Sequence, residues 1–277
     1  MSEKNTWVYL CPSLLSAALV TMVAPAAWAT ISPISQSRNV SANATAIVPT
    51  ITDTHNDALS APGFAPFSAE VDPSALAFSP TSGLFAFASG VAKQNSSIGA
   101  SAISGQGESS VNGTLLRGAG VSASATGSSG FDLVFLLNSL STFTLSGLVD
   151  TASVVTGGAS VPSLSNGVQL IDVDNGNAVL FSTATFDEAF LWSGTLPAGT
   201  YQLLADADVS GTSPASLTAP RTFNGISSYE FRMAFVPVPV PEASTVIGGM
   251  GLAGVCAATW LKRRSLARKA PTAEAAA

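Results

Sequence analysis

The residues that could do chemistry are few, and the only histidine lies among carboxylates. His55 occurs in Asp53-Thr54-His55-Asn56-Asp57. As a catalytic base it would need a nucleophile and an orienting acid from elsewhere, and the sequence contains no nucleophile-elbow motif. As a metal ligand it would join Asp53 and Asp57, which point the same way on an extended strand. We favour the alternative interpretation, a solvated turn ahead of the folded domain.

Aspartates supply two further candidate sites. Asp172-Val173-Asp174-Asn175-Gly176-Asn177 is superficially like a calcium loop, but its glycine falls at the fifth position instead of the sixth. Asp206 and Asp208 share one face of a predicted strand, and Asp187 or Glu188 could complete a cation site there. Acidic residues on a solvent face are the usual case, so we predict no cofactor and keep calcium as an alternative.

A pair of carboxylates could also hydrolyse glycosidic bonds, and β-sandwiches do host such pairs. Between Thr30 and the C-terminal motif the chain has four glutamates, Glu70, Glu108, Glu188 and Glu230. Most acidic residues fall at predicted turns. We therefore predict that the protein is not an enzyme and keep a glycan-active enzyme as an alternative.

The elements that would position these residues are strands. Short apolar runs bounded by turn residues recur after Thr30, whereas helix-period segments with caps are hard to find. Residues 131–137 and 142–148 flank Asn138–Ser141 and predict one hairpin. Residues 168–174 and 177–183 flank Asn175-Gly176, the best short signal for a two-residue type I′ turn.

Two other segments predict which side chains face the core. Tyr229, Phe231, Met233 and Phe235 alternate with polar or small residues, so they should share a buried face. Residues 194–203 resemble the Leu-Pro-Ala-Gly-Thr-Tyr turn and strand of many extracellular β-sandwich modules, some of which bind carbohydrate. That resemblance implies that Tyr201 lies on the core.

The pattern as a whole predicts an all-β fold, an antiparallel β-sandwich or jelly-roll-like domain over residues 63–236. Residues 30–62, which are polar with scattered proline, are predicted to form a loosely ordered lead-in.

Cysteine and charge limit what the middle of the chain can do. Both cysteines, Cys11 and Cys256, lie in terminal apolar segments, so Thr30 to Pro241 can form neither disulfides nor a thiolate metal site. The same region has five basic and 14 acidic residues, a net charge of −9. Such a region does not attract nucleic acid.

The N-terminus predicts export. Residues 1–29 contain Lys4 and then an apolar region, and they end in Ala27-Trp28-Ala29. Small residues at Ala27 and Ala29 fit a signal-peptide cleavage site. An uncleaved N-terminal helix is the alternative.

The C-terminus has three parts. Residues 237–245 are a proline-rich linker that contains Pro241, Glu242 and Ala243. Residues 246–261 carry no charge, and as a helix they would span about 24 Å, close to a membrane core. The last part, residues 262–277, begins with the basic residues Lys262, Arg263 and Arg264, which predict a cytoplasmic stop. A buried C-terminal helix of a soluble domain is the alternative.

This tail resembles the PEP-CTERM sorting signal, in which a Pro-Glu-Pro motif precedes a short transmembrane helix and an arginine-rich end. Here the motif reads Pro241-Glu242-Ala243, so its third position departs from the pattern. The resemblance implies that an exosortase, a membrane transpeptidase-like cysteine enzyme, is a partner. It also implies a bacterial source that makes extracellular polysaccharide.

The expectation that follows is an exported protein, transiently anchored in the inner membrane and then located at the cell surface or in the extracellular matrix. Its role would be structural or adhesive and associated with exopolysaccharide. The alternative is a carbohydrate-binding module that holds its glycan through Trp192 or exposed tyrosines.

Overall fold

The structure, a computed structural model, describes residues 30–116, 118–183, 187–215 and 219–238. As predicted, the regular structure in these ranges is antiparallel β-strand. No helix in them could cross a membrane. The strands are β1 (Ile31–Val48), β2 (Ile51–Ser60), β3 (Phe67–Val71), β4 (Ser74–Ser79), β5 (Leu84–Ile98), β6 (Ala102–Leu115), β7 (Ser122–Leu137), β8 (Ser141–Thr156), β9 (Ser163–Asp172), β10 (Ala178–Ser182), β11 (Glu188–Leu196), β12 (Gly199–Ser213) and β13 (Arg221–Pro237).

The strands form two antiparallel sheets that pack face to face, consistent with a β-sandwich. Sheet A has the order β10-β9-β12-β7-β1-β2. Sheet B has the order β11-β8-β13-β6-β5-β3, and β4 pairs with the same strand, β5, as β3 does. β7 and β13 are long inner strands of their sheets, and their inward side chains supply much of the core.

The predicted lead-in over residues 30–62 is wrong, because these residues form β1 and β2. β1 lies inside sheet A, where it pairs with β2 on one side and β7 on the other. Its inward positions include Val40 and Ala44, which are fully buried, and its outward positions carry serine, asparagine and threonine. Small inward residues give little hydropathy contrast, so the segment looks like polar coil in the sequence.

The hairpin predicted around Asn138–Ser141 is also wrong, because this connection crosses from one sheet to the other. Leu137 at the end of β7 pairs with Gly199 in sheet A. Thr142 near the start of β8 pairs with Thr195 in sheet B. Each flanking strand has one apolar face, and the two faces meet across the core instead of lying side by side in one sheet.

The hairpin predicted at Asn175-Gly176 exists, since β9 and β10 pair antiparallel. Its turn is longer than the two residues expected, because Asp172 pairs with Ala178 and residues 173–177 form the loop. The left-handed residues are Gly176 (φ 71°) and Asn177 (φ 63°), so the positive-φ pair lies one residue later than a type I′ turn at Asn175-Gly176 requires.

The core changes in thickness from one end to the other. Along β7 the inward residues are Ala123 and Ala125 near one end and Phe131, Leu133 and Phe135 near the other. The large residues belong to an aromatic cluster, and the small ones belong to a second cluster made mainly of alanine and valine. The four predicted core residues of β13 and Tyr201 all lie in the aromatic cluster, so their predicted burial is confirmed.

Between these clusters the backbones of the two sheets come into contact. A Cβ atom added to Gly90 of β5 would lie 2.4 Å from the carbonyl oxygen of Thr126 and 2.8 Å from that of Asn43, both in sheet A. A Cβ atom on Gly127 of β7 would lie 2.6 Å from the carbonyl oxygen of Val91 in sheet B. No side chain fits between the sheets at these two positions.

Short polar side chains bridge the sheets next to this contact. The Ser109 hydroxyl donates to the carbonyl of Ala207 at 2.7 Å, and the Ser227 hydroxyl donates to the carbonyl of Ser165 at 2.7 Å. The Gln94 amide nitrogen lies 2.9 Å from the Gly130 carbonyl. Buried polar groups need such partners, so the bridges satisfy these hydroxyls and join the two sheets.

A buried arginine holds the connection between β2 and β3. Arg38 is 1% exposed; its Nη1 donates to Ser96 Oγ at 3.1 Å and its Nη2 donates to the carbonyls of Ala65 (2.8 Å) and Gly63. Its Nε donates to Gln36 Oε1 at 2.9 Å. Burial lowers the pKa of the guanidinium from its ordinary value. Neutral acceptors therefore surround this cation and fix a loop that passes from sheet A to sheet B.

The first and last strands meet the same turn, which joins β5 to β6. The Ile31 amide donates to the carbonyl of Ala100 at 2.8 Å, and the Phe235 amide donates to the carbonyl of Ser101 at 2.9 Å. The two ends of the sandwich therefore lie at its aromatic end and close to one another.

The contact at Gly90 predicts that a single added methyl group lowers the stability of the fold. Gly90→Ala forces two backbones apart, so we expect a loss of about 1–3 kcal/mol or more in the free energy of unfolding, measured by urea denaturation. Gly63→Ala is the matched control, because nothing lies within 4 Å of its added Cβ. Equal midpoints for the two variants would contradict the close approach of the sheets.

The buried Tyr229 leads us to predict that the protein loses stability at alkaline pH. Burial raises the pKa of Tyr229 to about 12, although the neighbouring side chains of Ser129 and Gln94 act in the opposite direction. An unfolded tyrosine has a pKa of about 10. The stabilisation that comes from the raised pKa of folded Tyr229 is therefore fully present below about pH 10. It is lost as the pH rises toward about 12, for a total on the order of 2–3 kcal/mol.

The measurement is urea unfolding of the wild type and Tyr229→Phe at several pH values from neutral to alkaline. The variant should be less stable at neutral pH by about 1 kcal/mol, because Gln94 loses a partner. It should also lose less stability than the wild type on going into alkali. Parallel pH curves would show that Tyr229 is not the group responsible.

Candidate functional site

The predicted sorting and cleavage residues lie outside the described residues. These are Ala27 and Ala29 at the N-terminus, and Pro241, Glu242, Ala243, Lys262, Arg263 and Arg264 at the C-terminus. They stay predictions. The candidate sites within the described residues can be placed on the two sheets.

The histidine and its neighbouring carboxylates lie on β2, an edge strand of sheet A, and not in a turn. His55 Nε2 lies 3.0 Å from Asp53 Oδ1, while Asp53 Oδ2 accepts a hydrogen bond from the backbone amide of Leu76 at 2.8 Å. This amide, with a smaller contribution from His55, holds the pKa of Asp53 below its usual range. Asp57 accepts from the amide of Ala58. Asp53 thus connects β2 to β4 of the other sheet, which is a structural role.

The aspartates of the β9–β10 connection accept hydrogen bonds from the loop and from the start of β12. Asp172 accepts from the backbone amide of Asn175 at 3.2 Å and from its side-chain amide at 2.7 Å. Asp174 accepts from the amide of Thr200 at 2.8 Å. The turn explains these residues, as the sequence indicated.

The other aspartates proposed for a cation are divided between the sheets. Asp206 and Asp208 lie on β12 of sheet A, where burial, with repulsion from Asp208, raises the pKa of Asp206. Asp187 instead accepts from the backbone amide and hydroxyl of Thr151 in sheet B, at 2.8 and 3.0 Å. The described residues contain no group of three or more His, Cys, Asp or Glu placed to hold a metal. The prediction of no cofactor, with calcium as the alternative, stays a prediction.

Of the aromatic residues proposed to hold a glycan, the two described tyrosines are buried, and Trp192 is partly buried against the core. Trp192 stacks on Phe181 at a centroid distance of 5.5 Å and meets Phe143 edge-on at 4.7 Å. Tyr201 and Tyr229, the tyrosines among the described residues, are each 1% exposed. The Tyr201 hydroxyl donates to the carbonyl of Pro197, four residues upstream, at 3.1 Å. The prediction of exposed tyrosines is therefore wrong for both of them.

The outer face of sheet B carries a polar groove, which the sequence did not predict. One cavity of about 560 Å³ is bordered by Ser104, Glu230 and Arg232, and an adjoining one of about 330 Å³ is bordered by Glu70, Lys93 and Glu108. Asn95 and Gln106 border both cavities, so the two form a continuous depression across β3, β5, β6 and β13. We call this depression the sheet B groove.

Strand register brings the polar side chains of the groove together. Asn95 pairs with Gln106, and Gln106 pairs with Glu230 on the next strand. Lys93 pairs with both Glu70 and Glu108, and its Nζ lies 3.3 Å from Glu70 Oε1. The groove therefore mixes amides, carboxylates and cations along adjacent strands.

This mixture is suited to hydrogen bonding with a hydroxyl-rich ligand. Phe231 also borders the groove, but its side chain is 1% exposed and faces the core. A ligand here would be held by hydrogen bonds and not by stacking on an aromatic ring. Water competes directly for such hydrogen bonds. Sequence alternation places Lys93, Asn95 and Ser97 on one face, but only the order of the strands shows that Gln106 and Glu230 join them.

The fold and the groove define an all-β protein with two antiparallel sheets and an open polar face. No family model matches the chain, and no curated protein matches it either. Among solved structures it is similar to a chain of the infectious bursal disease virus VP2 subviral particle, at 10% identity over 84% of this chain and 74% of that one. The TM-score is 0.12, which carries no argument about fold or function.

Proposed function

We propose that the protein is an exported, exosortase-sorted component of a bacterial cell surface or extracellular matrix. Its role is structural or adhesive and is associated with exopolysaccharide. The observation that carries the proposal is the C-terminal sequence, in which Pro241-Glu242-Ala243 precedes the apolar residues 246–261 and the basic residues 262–264. The resemblance to the PEP-CTERM signal rests on that order of parts.

The structure of the domain is compatible with a location outside the cell. It needs no disulfide, because the sheets are joined by a packed aromatic cluster and by buried hydrogen bonds such as those of Ser109 and Ser227. Its acidic surface suits a neutral or cation-bridged polymer better than nucleic acid. No catalytic step is part of the proposal.

The test of sorting follows the location of the full chain in a host with and without its exosortase. An epitope placed in the exposed turn of residues 80–83 reports the domain without touching the tail. We expect the wild type at the surface or in the medium, and membrane retention either without the enzyme or in Glu242→Ala. Ser244→Ala, next to the motif, is the control and should behave as the wild type.

Two results would overturn the proposal. One is the same distribution of the wild type with and without the exosortase. The other is normal release of Glu242→Ala. Retention of the wild type in both hosts is one form of the first result, and it would mean that the Pro241-Glu242-Ala243 variant is not cleaved.

The second candidate is a carbohydrate-binding module, and the observation that favours it is the sheet B groove. Asn95 and Gln106 lie at its centre with hydrogen-bond donors and acceptors directed to one open face. A glycan-active enzyme is less favoured, although Glu108 and Glu230 both border the groove.

The test of this candidate uses two amides on the outer face of one strand, β6. Gln106 borders the groove and Asn112 lies outside it. For a glycan selected on an array with the wild type, Gln106→Ala should weaken binding roughly fivefold, since one hydrogen bond contributes about 1 kcal/mol. Asn112→Ala should not change it. An empty array, or equal losses in both variants, would remove the carbohydrate-binding candidate.

A further inference from the structure

Exposed sheet edges offer unpaired backbone groups to other strands, and folded proteins usually protect them. Three edges of this sandwich are protected in recognisable ways. β10 is short, and its register shifts between Val179 and Phe181. β2 and β4 lie beside each other and are joined by the hydrogen bond from Leu76 to Asp53. β3 is short and carries the ion pair between Glu70 and Lys93.

The edge formed by β11 has none of these protections. The strand runs for nine residues, Glu188–Leu196, and pairs with β8 without any shift in register. It contains neither proline nor a basic residue, and Glu188 at its start is its one charged residue. Within the described ranges β8 is the strand that pairs with it, and no other described strand pairs with its second side.

An exposed apolar side chain marks the middle of this edge. Leu191 is 75% exposed on the outer face of sheet B, where Leu148 of the adjacent β8 is 46% exposed. Cross-strand register places Leu191 opposite Ser146, diagonal to Leu148. A long neutral edge with a leucine beside it is the arrangement expected of a strand that accepts another strand.

We propose that β11 pairs antiparallel with β11 of a second copy of this chain, so that sheet B continues across a two-fold axis. The inference rests on the geometry of the edge and is independent of the proposed function. A strand that pairs with itself needs only a neutral, self-complementary sequence, whereas a different partner would need matching pockets or charges.

The symmetry of such a pair agrees with the distribution of charge and apolar surface. With the axis close to Leu191 and Trp192, the two copies of Leu191 are opposite or diagonal neighbours and cover one another. Glu188 of each copy then lies across from residues 194–196 of the other copy, which are uncharged. The acidic ends therefore do not meet, although the domain as a whole is acidic.

The test compares the full-length protein in detergent with two variants that gain the same charge. Leu191→Lys places an ammonium group on the proposed interface. Val154→Lys is the control, because Val154 is 64% exposed on the outer face of the adjacent strand β8, beyond Val149, the last residue of β8 that pairs with β11. The terminal segments are identical in all three proteins, so any association through them affects the three equally.

Sedimentation over a range of concentrations should show a dimer for the wild type and for Val154→Lys. The dissociation constant of Leu191→Lys should be roughly tenfold or more higher, because a charge placed on a strand edge opposes pairing. Amide hydrogen exchange should slow with increasing concentration in residues 188–196 and stay constant in residues 178–182 of β10.

Three results would overturn the proposal. They are a wild type that is monomeric at every concentration, equal weakening in both lysine variants, and protection of residues 188–196 that does not depend on concentration. Both substituted side chains are largely exposed, so loss of folding is not expected, and circular dichroism of each variant checks this point.

Discussion

The contact between the backbones of the two sheets at Gly90 and Gly127 is the constraint on which the rest of this structure depends. Sheets in sandwiches usually lie about 10 Å apart with side chains between them. Here carbonyl oxygens of one sheet occupy the space where a Cβ of the other would be. The two contact positions must therefore be glycine, and the inward residues around them are mostly small, whereas most of the large core residues lie at the aromatic end.

This constraint also determines where the stability of the domain comes from. A thin alanine-rich half buries little apolar area per residue, and burial is the main favourable term in folding. The aromatic half supplies ring contacts such as Phe131 with Phe231 and Phe135 with Phe235, at centroid distances of 5.0 and 5.7 Å. Hydrogen bonds across the narrow middle, such as those of Ser109 and Ser227, then join the two sheets where little apolar surface is buried.

The sequence predicts those parts of the fold in which apolar and polar residues alternate strongly. The face shared by Tyr229 and Phe235 follows from period-two alternation, and the burial of Tyr201 is what the resemblance of residues 194–203 to a known turn and strand implies. β1 has the same alternation, but its inward alanines differ little from its outward serines in hydropathy, so the pattern is weak. The sequence also cannot show which sheet a strand joins. Two consecutive strands have the same local pattern whether they pair in one sheet or lie in opposite sheets.

The sheet B groove could not be predicted for a related reason. Its residues come from four strands, and Lys93 and Glu230 are far apart in the chain but lie on nearby strands of sheet B. Trp192 shows the opposite case. A tryptophan near a predicted turn suggests an exposed ring for a sugar to stack on, whereas in the structure its side chain packs against Phe143 and Phe181. For the histidine cluster the sequence indicates a turn, and only the structure shows that it lies on β2, where Asp53 accepts a hydrogen bond from the amide of Leu76.

The meeting of the first and last strands beside one turn has a topological consequence. Ile31 and Phe235 bond to the adjacent carbonyls of Ala100 and Ser101, so the sandwich is nearly a closed circuit of chain. Domains with adjacent ends tolerate circular permutation and insertion into other proteins. We therefore expect that a short linker between the ends and a new break in the exposed turn of residues 80–83 would preserve every strand pairing.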